Sequence, residues 1–83
     1  MKTSEQLRGA RAVVGLTRGE LAAEAGVSVD TVKRFEGGAG LITGRLPIVE
    51  ALRGALEGYG ITFTEGPEGE YGIGWGPGLR VSP

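Results

Sequence analysis

Along the first sixty residues the apolar positions recur at intervals of three and four, the spacing of one face of an α-helix. Leu7, Ala10 and Val14 form one such stripe, with Ala12 and Val13 on its flanks. They predict a first helix from about Ser4 to Val14. Thr3 with Gln6 three positions later is a capping-box pattern, in which each side chain satisfies a free backbone donor of the other. Gly15 ends the helix as a residue free to adopt positive φ. Leu21, Ala22 and Ala25 give a second, shorter stripe. Thr17 with Glu20 is another capping box and Leu16 with Leu21 a hydrophobic staple, devices that together contribute ~1–2 kcal/mol to helix stability. Gly26 stops that helix, and Val27-Ser28 leads directly into a third. Ser28 is its N-cap, Val27 staples to Val32, Val32 and Phe35 are its inner face, and Gly37-Gly38 end it.

The loop Gly37 to Arg45 carries four glycines. It meets Leu46-Pro47, and proline suits the first positions of a helix. The fourth helix runs to about Gly58 with Ile48, Leu52, Ala55, Leu56 and Tyr59 inward. Gly54 within it costs up to ~1 kcal/mol relative to Ala, and is read as a place where another helix approaches closely. After Gly60 the period becomes two. Ile61-Thr62-Phe63-Thr64 alternates, Glu65 to Gly69 is a turn, and Glu70 to Trp75 sets Tyr71, Ile73 and Trp75 against glycines. This is a β-hairpin, with a third short strand expected at Leu79-Arg80-Val81. The fold class is therefore mainly α: a four-helix domain over residues 1–60 with a hairpin tail of two or three strands over 61–83.

The pair of short helices between Thr17 and Glu36, joined by a tight glycine turn, has the layout of a helix-turn-helix, whose second helix lies in a DNA major groove. The outer face of that second helix presents Asp30, Thr31, Lys33 and Arg34, with Val29 near the edge.

Composition narrows the chemistry. With 83 residues the chain holds one small core. It has no Cys and no His, which excludes disulfides, thiolate metal sites, imidazole ligands and imidazole bases. No metal and no cofactor is expected. No paired-carboxylate motif, phosphate loop or nucleophile with a base stands out, so the expectation is that the protein is not an enzyme. The run Gly72-Ile73-Gly74-Trp75-Gly76 has a superficial dinucleotide-fingerprint look but precedes no helix. The charged start and the lack of long apolar runs lead us to expect a cytoplasmic protein with no membrane partner. The formal net charge is −1. Residues 1–36 hold six basic and five acidic side chains, whereas residues 59–83 hold one and three. A DNA contact must then rest on the placement of individual cations rather than on bulk field.

Leu7-Arg8…Arg11, Gly15-Leu16-Thr17, Glu20-Leu21-Ala22, Ala25-Gly26-Val27-Ser28, Thr31-Val32 and Phe35-Glu36-Gly37 together resemble the Cro/repressor-type (xenobiotic-response-element) helix-turn-helix family of small regulators. The resemblance covers residues 4–38 closely and 46–60 moderately, and the tail around Gly60 to Phe63 and Gly76 to Arg80 looks like the short β-tail of compact members. It implies a phage-like homodimeric repressor acting on double-stranded DNA at a paired operator. It also implies residue roles. Arg11 and Glu36 match an ion pair between the first and third helices. Arg18 matches a phosphate contact or a support for a base contact, and Ser28, Val29, Asp30, Lys33 and Arg34 match positions facing base edges or flanking phosphates. Thr31 matches a helix-start or phosphate contact, and Arg45 a backbone or minor-groove contact.

Arg34 is the first choice for reading a base, because a guanidinium bonds guanine O6 and N7 together. Asp30 suits a cytosine amino group and Val29 a thymine methyl. Ile61, Phe63, Tyr71, Ile73 and Trp75 are the candidate dimerisation residues, since pairing strands across a two-fold axis closes an open edge. Two other readings stay open at this stage. One is an antitoxin that represses its own operon and binds a toxin through the tail. The other is a protein-interaction module without DNA binding, to which the acidic pI of about 5.4 points.

Overall fold

In the computed structural model, which describes residues 1–75, four helices precede one hairpin: α1 (Ser4–Val14), α2 (Arg18–Ala25), α3 (Val29–Glu36), α4 (Leu46–Glu57), β1 (Ile61–Glu65) and β2 (Tyr71–Trp75). The helix starts follow their caps. Thr3 Oγ1 accepts from the Gln6 amide while Gln6 Oε1 accepts from the Thr3 amide, and Thr17 with Glu20 repeats the exchange. Gly15 and Gly26 close α1 and α2 in the left-handed region, at φ 77° and 71°. Ser28 caps α3 through its hydroxyl. In α4, Pro47 falls at the second position, and Arg45 stands at the N-cap without a side-chain bond.

The core is made from the predicted stripes. Leu7, Ala10, Val14, Leu16, Leu21, Ala22, Val32, Phe35, Leu52, Leu56 and Tyr59 are buried together, with Met1 and Ile61 among them. α2 packs on both α3 and α4, and α1 packs on α3. Gly54 corrects an expectation: a β-carbon built there would meet nothing within 4 Å, so no helix approaches it. It faces open space because the inward positions of α4 are taken by Leu52 and Leu56 on either side.

The hairpin pairs Ile61 with Trp75, Phe63 with Ile73 and Glu65 with Tyr71, in antiparallel register. β1 extends one residue beyond the expected strand and β2 begins at Tyr71, one residue late, because the Gly66 amide donates to the Glu70 carbonyl and closes the turn. The apolar face lies on the protein's own helices. Ile61 is 2% exposed, and Phe63 and Ile73 pack against the core. Ile73 Cδ1 comes to 3.6 Å from where a β-carbon on Gly9 would sit. The expected third strand at Leu79-Arg80-Val81 lies outside the described residues.

Chain positions 37–45 are tied back to the start of the protein. The Ser4 amide donates to the Gly40 carbonyl at 3.0 Å and the Ile42 amide to the Lys2 carbonyl at 2.8 Å, around an antiparallel bridge between Thr3 and Leu41. The Glu5 carboxylate accepts from the Gly40 amide. Hydrogen bonding from its own backbone amide, and then from that of Gly40, lowers the pKa of Glu5. The glycine-rich loop after α3 is thus anchored rather than loose.

Candidate nucleic-acid interface

α3 begins two residues after α2 has turned off at Gly26. It is strongly amphipathic: Val32, Phe35 and Glu36 are buried, while Ser28, Val29, Asp30, Lys33 and Arg34 are exposed and Thr31 is half-buried. At its start the Ser28 hydroxyl accepts from the Thr31 amide and lies 2.8 Å from the Thr31 hydroxyl. Both hydroxyls are thereby occupied with each other. Arg34 lays its guanidinium 5.3 Å from the centroid of the neighbouring Phe35 ring. The side chains of Asp30, Lys33 and Arg45 make no hydrogen bond to a described residue.

The far end of α3 is where the helix is held. The last carbonyls of a helix have no partner within it. Here α1 supplies partners: the Ser4 hydroxyl donates to the Phe35 carbonyl at 2.7 Å, and Arg8 Nη1 donates to the Glu36 carbonyl and, at 2.8 Å, to the Gly38 carbonyl. A cation at this end also opposes the helix dipole.

The side chain of Glu36 completes the anchor. It is fully enclosed, yet it accepts from Arg11 Nε at 2.6 Å, Arg11 Nη2 at 2.9 Å and Arg18 Nε at 3.1 Å. Arg11 Nη1 donates in addition to the Leu16 carbonyl at 3.0 Å. Burial by itself raises the pKa of Glu36, but the hydrogen bonds and charges of Arg11 and Arg18 together outweigh it and hold the carboxyl below its usual range. Arg11 is held above its own ordinary value by the hydrogen bond to Glu36. A charge enclosed this way is stable only with its partners in place.

The structure thus brings Arg11, Arg18 and Glu36 into one node, and leaves Ser28, Val29, Asp30, Lys33 and Arg34 exposed on the neighbouring α3, with Thr31 half-buried at its start. Arg45 stands apart at the start of α4. Ser4, Arg8 and Gln6 were not singled out from the sequence as anchors. Gln6 Nε2 donates to the carbonyls of Thr64 and Gly72 in the hairpin, at 3.2 and 2.8 Å. For Arg8 a signal existed, since it lies three positions from Arg11 on the same helix face. For Ser4 and Gln6 none did: the capping box with Thr3 accounts for Gln6 locally, and Ser4 is an ordinary helix-start residue. Tyr59, at the end of α4, donates its hydroxyl to Glu24 of α2 at 2.9 Å and so ties the helix pair to the body of the protein.

Most acidic side chains lie elsewhere. Glu50 and Glu57 are each paired with Arg53 on α4, and together with Glu65 they line one shallow cleft. With Glu36 neutralised in the node, the surface of α3 carries Lys33 and Arg34 against Asp30 alone. The overall charge of −1 therefore does not describe this face.

Two short helices joined through a left-handed glycine, with the second amphipathic and clamped at its carboxyl end, define a helix-turn-helix domain. The chain matches the model of the family described as helix-turn-helix domain over residues 4–65, and it belongs to that family of DNA-binding regulator domains. No curated protein gives a significant match. Among the described residues no helix is long and apolar enough to cross a membrane.

Proposed function

We propose that the protein is a homodimeric transcriptional repressor that places α3 in the major groove of a two-fold operator. The observation that carries this reading is the division of α3. Its carboxyl end and inner face are held by Ser4, Arg8, Arg11 and Arg18, and its outer face is left exposed with Lys33, Arg34 and short polar groups. A recognition helix needs both properties, because its register on the duplex must be set while its outward side chains stay available.

Within this reading Arg34 bonds guanine, releasing its stack on Phe35 as it does so. Lys33 reaches a base or a phosphate, Val29 packs on a thymine methyl and Asp30 accepts from a cytosine amino group. Ser28 and Thr31 order the start of the helix and meet the backbone. Arg18 and the first amides of α2 take a phosphate, and Arg45 touches the backbone beyond it.

One copy of α3 offers few contacts, so a second copy is needed for tight binding. The tail supplies it through Tyr71 and Trp75, which are 39% and 48% exposed at the two ends of β2. Ile61, Phe63 and Ile73 lie on the same face of the hairpin and pack on the protein's own core, leaving Tyr71 and Trp75 as its exposed ends. Selection of bound sequences from a random duplex library tests the reading. We expect a two-fold symmetric motif with half-sites about 34 Å apart; a single asymmetric half-site would contradict the dimer, and no enrichment would contradict sequence-specific binding.

A further inference from the structure

Arg18 uses only its Nε–H on Glu36, and 47% of its side chain is exposed. Its two Nη groups make no hydrogen bond to a described residue. The acceptor is immobile: Glu36 is enclosed and held on its other oxygen by Arg11, itself tied to the Leu16 carbonyl. A guanidinium is planar, so fixing its Nε edge on a rigid carboxylate also fixes where the two Nη groups are presented. Arg18 is itself the first residue of α2.

We propose that Glu36 is a positioning residue for DNA backbone binding, which holds Arg18 as a preset two-pronged donor for one phosphate. This rests on the DNA-binding reading above. Glu36 binds no DNA itself. It turns the same buried carboxylate that clamps α3 into the orienting partner of a phosphate contact on α2, so backbone engagement and the placement of α3 share one node. The contact depends on shape more than on charge. A lysine at position 18 has a single ammonium on a flexible stem, whose remaining N–H groups after pairing with Glu36 form no planar fork of fixed direction.

The test is salt-titrated affinity for a random-sequence 20-base-pair duplex, with thermal melting of every variant. The proteins are the unmodified full chain, Arg18→Lys, Arg18→Ala, Glu36→Gln and the Arg18→Ala/Glu36→Gln double variant. We expect Arg18→Lys to weaken binding as much as Arg18→Ala, each several-fold, with the salt slope reduced by about 1 in both. Glu36→Gln should weaken binding similarly alone and add nothing once Arg18 is gone. Arg18→Lys binding like the unmodified protein would overturn the proposal, as would an equal effect of Glu36→Gln in both backgrounds. If Glu36→Gln does not fold, the comparison of Arg18→Lys with Arg18→Ala decides alone. An unmodified protein without salt-dependent binding contradicts the DNA reading itself, whereas normal binding with an indifferent Arg18→Lys contradicts only the role of Glu36.

Discussion

The side-chain amide of Gln6, in the first turn of α1, donates to the carbonyl of Gly72 in β2, 66 positions later, at 2.8 Å. The same amide reaches the Thr64 carbonyl, and its oxygen accepts from the amides of Lys2 and Thr3. One buried side chain therefore caps a helix and fastens the hairpin to it. Removing it as Gln6→Ala leaves several backbone groups without this partner. At about 0.5–1.5 kcal/mol for each net hydrogen bond, a loss of about 2 kcal/mol is expected in urea denaturation. Hydrogen exchange at hairpin amides should accelerate more than in α2. An equal acceleration throughout would show that the hairpin does not depend on this tie. Gln6→Glu keeps the acceptor but turns a carboxylate toward two carbonyl oxygens, and should be worse than Gln6→Ala.

Arg11→Ala leaves the enclosed Glu36 carboxylate with only the half-exposed Arg18. Breaking a buried pair by removing one partner costs ~3–5 kcal/mol. The low end, about 3 kcal/mol, is expected here because Arg18 remains. Chemical denaturation gives the number, and a loss below about 1 kcal/mol would show that Arg18 and solvent suffice.

The same node sets a pH dependence. The folded-state pKa of Glu36 lies below its ordinary value of 4.5. Its stabilising contribution is therefore fully present above about pH 4.5 and is lost as pH falls through the depressed folded value. Stability measured by denaturant titration should drop on acidification below about pH 4.5, and Glu36→Gln should flatten that drop. An unchanged acid limb in Glu36→Gln would assign the effect to other carboxylates.

Two glycines should respond in opposite directions. A β-carbon on Gly44 would lie 2.6 Å from Phe35 Cζ and 2.8 Å from Cε1, so the ring beneath the loop must move. Gly44→Ala is expected to cost ~1–3 kcal/mol, the usual range for overpacking. Gly54 is a helix-interior glycine over open space, so Gly54→Ala should stabilise by ~0.5–1 kcal/mol. Thermal melts of the two variants on either side of the unmodified protein check both.

What was legible in the sequence was local. Thr3 with Gln6, Thr17 with Glu20, and the glycines after each helix act within one turn, so spacing alone reveals them. The stripes of Leu7, Leu21, Val32, Leu52 and Leu56 predicted the core for the same reason. What acts across the fold was not legible. Nothing near Ser4 or Gln6 points to Phe35 or Gly72, since Gln6 is already explained by its cap and Ser4 by its place in the first turn. The sequence points to Arg18 as a phosphate contact or a support for a base contact, but not to its pairing with Glu36, which depends on the angle between α2 and α3 that no spacing encodes. Gly54 was misread for the converse reason: a glycine in a helix looks alike whether it faces a neighbour or open space.

The most direct test of the central claim is amide chemical-shift mapping of the full chain as the duplex recovered by sequence selection is added. The largest shifts are expected on Arg18, Gly19 and residues 28–34, with the Glu50–Arg53–Glu57 surface of α4 unmoved. Shifts concentrated on α4 or the hairpin turn, with α3 unaffected, would contradict the assignment of α3 as the helix that reads DNA.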